Sequence, residues 1–297
     1  MSRITVFGEV LFDCFPDGEQ VLGGAPFNVA WHLQAFGQQP RFVSRVGDDP
    51  EGHEIRQAMQ AWGMNMTGLQ LDQEHATGRV EVSLQGGEPS YDIVDRVAYD
   101  FIHADQVGEG SSSILYHGSL ALRHSTSRES LQLLRRTLGA SLFMDVNLRA
   151  PWWQREPLLE WVSQADWVKL NEEELASLQD GAGDLHSRAA DFLRTHELTG
   201  LVVTRGSEGA TLLMGDQAAI DVAPVSALKV VDTVGAGDAL TSVLLLGLDL
   251  GWPMPETLQR AQEFASAVVG QRGAITRQRA FYLPFLESWG LLNETAG

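Results

Sequence analysis

Apolar residues follow two alternating rhythms along this chain. Short runs rich in β-branched and aromatic side chains occur at residues 3–8 (RITVFG), 41–47 (RFVSRVG), 114–118 (ILYHG), 141–147 (SLFMDVN), 165–171 (ADWVKLN) and 200–206 (GLVVTRG). Their length and composition predict strands. Between them, apolar positions three and four apart predict helices at 27–37 (FNVAWHLQAFG), 51–63 (EGHEIRQAMQAWG), 125–139 (STSRESLQLLRRTLG) and 184–198 (DLHSRAADFLRTHEL). Strand–helix alternation of this kind predicts an α/β fold whose sheet is mostly parallel and covered by helices on both faces. Ligands are expected at the carboxyl ends of such strands.

Two segments break the rhythm. Residues 10–22 (VLFDCFPDGEQVL) and 76–99 (ATGRVEVSLQGGEPSYDIVDRVAY) carry strand-like runs around Gly-, Pro- and Asp-rich turns, with no helix between them. They are expected to pair into a small separate sheet. The main domain then comprises residues 1–9, 23–75 and 100–297, with 10–22 and 76–99 inserted into it.

Composition narrows the function classes. The 297 residues are 44% hydrophobic and 20% charged, a globular make-up with a full core. The net charge of −18, with Lys169 and Lys229 as the only lysines, argues against nucleic acid or an anionic membrane as a partner. Cys14 is the only cysteine, so no disulfide framework or thiolate metal site is expected. The start (MSRITVFGEVLFD) reads as a strand without a cleavage site, and the most apolar window (SVLLLGLDLGW) is too short to span a bilayer. A cytoplasmic enzyme is the expectation. No Gly-Lys-Ser/Thr, no Gly-x-Gly-x-x-Gly after the first strand and no His-Glu-x-x-His occurs, so a nucleotide would be held by another design.

The stretch DTVGAGDALTS (232–242) suggests that design. The residues after Asp238 suit a buried helix to about residue 250, which places Gly235, Ala236 and Gly237 at its N-terminus. Unpaired N–H groups and the helix dipole attract anions there, and small residues let a phosphate approach them. An ionised Asp238 beside that anion could take a proton from an attacking hydroxyl. The competing account is a helix-start aspartate that complements the dipole, worth about 0.3–1 kcal/mol. In LGGAPFNVAWHLQAFG (22–37), Gly23 and Gly24 precede Pro26, which fits a first helical turn, and Asn28 falls in the opening turn.

Together these two stretches resemble the PfkB (ribokinase-like) family of sugar kinases. Its N-terminal pattern is met by Gly23, Gly24, Pro26, Asn28, Ala30, Gly37 and Gly47, and its C-terminal Asp-Thr-x-Gly-Ala-Gly-Asp by Asp232 to Asp238. Val243 departs from it, standing where the family usually has Gly or Ala. The resemblance implies an ATP-dependent kinase with a ribokinase-like, Rossmann-type sandwich and a β-sheet lid, which the two odd segments would form. It implies that Asp238 is the catalytic base, that the Gly235, Ala236 and Gly237 amides form an anion hole, and that Asp13, Gly23, Gly24 and Asn28 hold the sugar. Asn171 and Glu174, in KLNEEEL, would help place Mg²⁺ and phosphate largely through water; alone they read as a helix cap. Thr204, Gly206 and Gly209 resemble the nucleotide loop, and a tight turn between strands is the other account. Gln262 aligns where the family often has an adenine-contacting Asn. Asp232, with carbonyls near Val234 and Gly273, resembles a monovalent-cation (K⁺) site.

DVNLRAPWW (145–153) is similar to a stretch of bacterial fructokinase-like members. Asp145, Asn147 and Arg149 occupy alternate positions, hence one strand face continuing to the crevice. Arg149 is then a candidate contact for the transferring phosphate, with a surface ion pair as its alternative; Trp152 and Trp153 read as packing residues. Fructose is the first substrate expectation, with ribose, 2-keto-3-deoxygluconate and nucleosides as alternatives, and a catalytically silent sugar-binding regulator as the rival class. By analogy, the lid sheet would pair two copies into a homodimer.

Overall fold

The computed structural model describes residues 3–85, 88–108, 110–181, 183–224 and 230–292; Lys229 lies outside them. The strand-like runs form one nine-stranded sheet. In chain order its strands are β1 (Ile4–Phe7), β4 (Arg41–Gly47), β5 (Leu69–Asp72), β8 (Ile114–His117), β9 (Ser141–Asp145), β10 (Trp167–Asn171), β11 (Gly200–Thr204), β12 (Ala210–Leu213) and β13 (Ile220–Val222). They lie in the order β13-β12-β11-β10-β9-β8-β1-β4-β5. All neighbours are parallel except β11–β12 and β12–β13.

Period-two alternation along the strands feeds two separate cores. Ile4, Val6, Ile114, Tyr116, Phe143 and Val202 face one, packed under α1 (Ala25–Ala35), α2 (Pro50–Trp62), α7 (Ala236–Leu250), α8 (Met254–Val269) and α9 (Leu283–Ser288). Phe7, Leu115, Leu142, Met144, Val168 and Val203 face the other, under α3 (Ser125–Leu138), α4 (Arg155–Val162), α5 (Glu172–Leu178) and α6 (Leu185–Thr195). Helix α7 is buried on nearly every side from Ala239 to Gly247, which requires an apolar sequence all round. Val243 is fully buried within it.

The two segments that broke the rhythm do pair. Strands β2 (Leu11–Cys14) and β3 (Gln20–Gly23) form one antiparallel hairpin, β6 (Gly78–Gln85) and β7 (Glu88–Ile93) another, and β2 joins β6 in parallel. The opening strand is therefore interrupted at 8–10, where the chain leaves the large sheet for the small one. Because β1 leads into β2 and β5 into β6, the small sheet stands over the carboxyl ends of the parallel strands. Asp49 caps α2 through the Gly52 N–H (2.7 Å) and also accepts from the Thr77 N–H (2.7 Å), pinning the chain just ahead of β6. The returning chain is held by Arg123, which donates to the Val94 carbonyl and to both oxygens of Asp100. Among the described residues no helix is long and apolar enough to cross a membrane.

Candidate active site

The opening of α7 lies at the carboxyl edge of the sheet. Gly235 is its N-cap, with φ +81°, and a Cβ there would collide with Ala274, so both conformation and space demand glycine. The first helical N–H to return inward is that of Ala239, to Gly235 O at 2.8 Å; Ala236 N–H reaches only Thr233 O, at 3.4 Å. The amides of Gly235, Ala236 and Gly237 thus stand at a helix start whose dipole favours anions. The segment beside them is strapped to α1. Trp31 Nε1 donates to Thr276 O (3.0 Å), and the buried His32 bridges Ala274 O (3.1 Å) and the Tyr282 hydroxyl (2.9 Å).

Asp238 is the third residue of α7. Asn28 Nδ2, from the opening turn of α1, donates to its Oδ2 at 2.8 Å across 210 residues of sequence. Burial pushes the Asp238 carboxyl up to about 6, an effect that the Asn28 bond partly offsets; the charge of Asp145 adds to the rise, while Lys169 and Arg149 oppose it. The residue as a whole is half-buried. Asn28 Oδ1 is buried and has no hydrogen-bond partner among the described residues.

Asp13 projects from β2 of the small sheet, and Gly23 faces it, the position of a Cβ there lying 3.8 Å from Asp13 Oδ2. Gly24 is the N-cap of α1 at φ +108°, with the Glu9 carbonyl 2.8 Å from where a Cβ would stand; a backbone requirement explains this glycine. Burial raises the Asp13 carboxyl, and the Arg149 charge lowers it. The same guanidinium acts on Glu9 and Asp238, so the exposed Arg149 overlooks three acids of the cleft. The one described bond of its guanidinium is to the carbonyl of Leu148.

The expectation of one strand face from Asp145 to Arg149 does not hold. Strand β9 ends at Asp145, and Asn147 adopts φ +40°, which turns the backbone out of the pleat. Asp145 points inward instead, pairing with Lys169 Nζ at 3.0 and 3.1 Å, while Arg149 is carried outward on the following loop. Trp152 packs over the Arg123 guanidinium, 4.4 Å from its ring centroid, as a packing residue should.

Asn171 ends β10 and caps α5 in a reciprocal box with Glu174 (2.8 Å each way). The buried Glu174 also accepts from the Leu148 N–H at 2.8 Å, which ties the Arg149 loop to α5. The cap account is therefore correct as far as it goes, and it sets Glu174 beside the Asp145–Lys169 pair, whose charges both act on it. Thr204 lies in register with Asn171 on β11. Gly206 opens a short 3-10 turn and Gly209 ends it, between antiparallel strands. Asp232 accepts from the N–H groups of Val234 (3.0 Å) and Gly273 (3.0 Å), so these residues meet it through amides. Gln262 is buried in α8 and bonds within its own helix, to Ser266.

Sequence reasoning passed over two side chains of this cleft. Glu9 is 2% exposed, with Oε2 unpartnered among the described residues and its carboxyl pushed up to about 7 by burial. Lys169 entered only as a count. An acid directly after the first buried strand, and a lysine inside an apolar run, were the available signals.

Comparison with known proteins now bears on the cleft. The model of the pfkB family carbohydrate kinases matches residues 2–280. The chain belongs to this family. A fructokinase of Klebsiella pneumoniae is 34% identical over 263 residues, covering 83% of this chain and 84% of the relative. Among solved structures, a sugar kinase of Pyrococcus horikoshii in complex with ATP superposes with a TM-score of 0.81 at 27% identity, covering 97% of this chain and all of that one. A fructokinase of Vibrio cholerae O395, bound to fructose, ADP and calcium, gives 0.80 at 28% identity, covering 95% and 98%. This pfkB-family chain is thus a carbohydrate kinase, a phosphotransferase with the ribokinase-like fold.

Proposed function

We propose that this kinase transfers the γ-phosphoryl group of ATP to a primary hydroxyl of D-fructose, the one on C6, giving fructose 6-phosphate. The observation that carries the reading is the Asn28–Asp238 hydrogen bond. It joins the opening turn of α1, beside Asp13 and the two glycines, to the opening turn of α7. A sugar-binding corner and an anion-binding helix start become one site. Fructose is favoured because the relatives named above include fructokinases, one of them bound to fructose and ADP.

In this reading Asp238 accepts the proton of the attacking hydroxyl. Asn28 fixes its orientation, and burial brings its basicity towards neutrality, where a general base is effective. The Gly235, Ala236 and Gly237 amides take up charge developing on the transferring group, a role in which one lost donor typically costs about 100- to 1000-fold. Asp13 accepts hydrogen bonds from neighbouring sugar hydroxyls. The small sheet closes over the sugar, excludes water and so suppresses hydrolysis of ATP. Glu174 suits a hard cation: each oxygen accepts one amide and keeps a lone pair for a bound water. Mg²⁺ held there through water would neutralise phosphate charge.

ADP release measured over fructose, ribose, 2-keto-3-deoxygluconate and nucleosides tests the reading. The highest kcat/KM is expected with fructose. Turnover led by another sugar would move the assignment within the family, and sugar binding without any ADP release would mark a regulator.

A further inference from the structure

Lys169 is buried, its side chain 9% exposed, and its Nζ is bound to both oxygens of Asp145. On the other side of that ammonium stands Gly237. A Cβ on Gly237 would lie 3.0 Å from Nζ and 3.9 Å from Cε, with no other atom outside its immediate surroundings within 4 Å. At Gly237 it is therefore the cationic end of the pair that meets the first turn of α7, while the carboxylate reaches α7 at Thr241 and its charge acts on Asp238 against that of Lys169. Thr241 Oγ1 closes the circuit, 3.3 Å from Asp145 Oδ2 and 2.9 Å from the Gly237 carbonyl. A buried ion pair stabilises a fold little better than apolar residues of the same volume. Its orientation towards the helix start points to a use.

We propose that Lys169 is a positioning residue for phosphoryl transfer, its ammonium fixed by Asp145 behind Gly237 so as to add positive charge to the α7 amides and keep Asp238 available as base. The proposal rests on the reading of Asp238 and those amides given above. It also explains why position 237 is glycine: a methyl group there would press on the ammonium. Asn28 from α1, Asp145 from β9, Arg149 from the loop after β9 and Lys169 from β10 act on Asp238 by charge or hydrogen bond, and the charge of Asp238 in turn acts on Glu9 from the segment after β1 and Tyr116 from β8. Lys169 and Arg149 are the cations of that set, and Arg149 is exposed to solvent.

The test compares Lys169→Met, the charge-balanced Lys169→Met/Asp145→Asn and Gly237→Ala with wild type, folding being checked by calorimetry. In both lysine variants kcat is expected to fall at least about tenfold while the sugar KM stays within about threefold. In Lys169→Met the acid limb of kcat/KM moves to higher pH, because Asp145 keeps its charge without the counter-charge. In the double variant the limb returns towards wild type. Gly237→Ala, which keeps every amide, loses kcat in the same direction. A folded double variant with kcat within about threefold of wild type overturns the proposal, as does an unmoved acid limb in Lys169→Met. If Lys169→Met does not fold, the double variant decides. A wild-type protein that releases no ADP with any sugar is instead a failure of the functional reading. Calorimetric binding of ADP with aluminium fluoride then decides for Lys169: the double variant should lose affinity for that mimic while retaining it for ADP, and equal affinities for both would refute the proposal.

Discussion

Replacing Asp238 by asparagine should stabilise the protein and disable it at once. The carboxyl is raised from 3.8 to about 6, chiefly by burial. Each pKa unit corresponds to about 1.4 kcal/mol, so ionising Asp238 in the folded state costs about 3 kcal/mol before screening. Because Asp238 is half-buried rather than fully enclosed, about 1–2 kcal/mol is the working figure. An acid with a raised folded value binds its proton more tightly when folded. The stability cost is therefore absent below about pH 4, grows through about pH 6 and is complete above it. The amide introduced by Asp238→Asn carries no such cost. It can still accept from Asn28 Nδ2, and its new NH₂ group can donate to the unpartnered Asn28 Oδ1. Calorimetry at pH 8 should show Tm higher by about 2–6 °C, the gain shrinking to nothing near pH 4. A coupled assay of ADP release should show kcat lower by at least about 100-fold, with ATP affinity near wild type. A kcat within about tenfold of wild type would remove Asp238 from proton transfer, and a Tm that falls at pH 8 would remove the desolvation argument.

Other outcomes follow from the same geometry. In wild type, kcat/KM should rise with pH through about 6 as Asp238 loses its proton, and Asn28→Ala, which removes a bond that favours the charged form, should move that limb upward; a pH–rate series checks both. Asp13→Ala should raise the sugar KM at least about tenfold, the worth of a hydrogen bond to a charged group, while the ATP KM changes little in steady-state kinetics. Gly235→Ala should lower Tm, since the position needs φ +81° and a methyl group would collide with Ala274, and kcat should fall as the neighbouring amides shift.

Local pattern carried much of this protein. Its strand and helix rhythms predicted the parallel sheet and both hairpins of the small sheet, because period-two and period-3.6 burial is written directly into residue order. The small residues of 235–237 and the acid after them pointed to an anion-binding helix start, since glycine placement and helix dipoles are short-range matters. Residue order also placed Asn171 and Glu174 in a cap, three positions apart. The decisive contacts are different in kind. Asn28 meets Asp238 only because α1 and α7 pack on the same face of the sheet with their openings at one edge. The raised carboxyls of Glu9 and Asp238 exist only because tertiary packing removes water from them. Asp145 was expected to share a strand face with Arg149, but the positive φ of Asn147 parts them and leaves Asp145 for Lys169. That pairing joins neighbouring strands, 24 residues apart, and no pattern within either strand encodes it. Sequence alone predicted the strands that make up most of the large sheet and the helix start at which an anion is expected; which charges meet there was decided by the sheet, through strand order and burial.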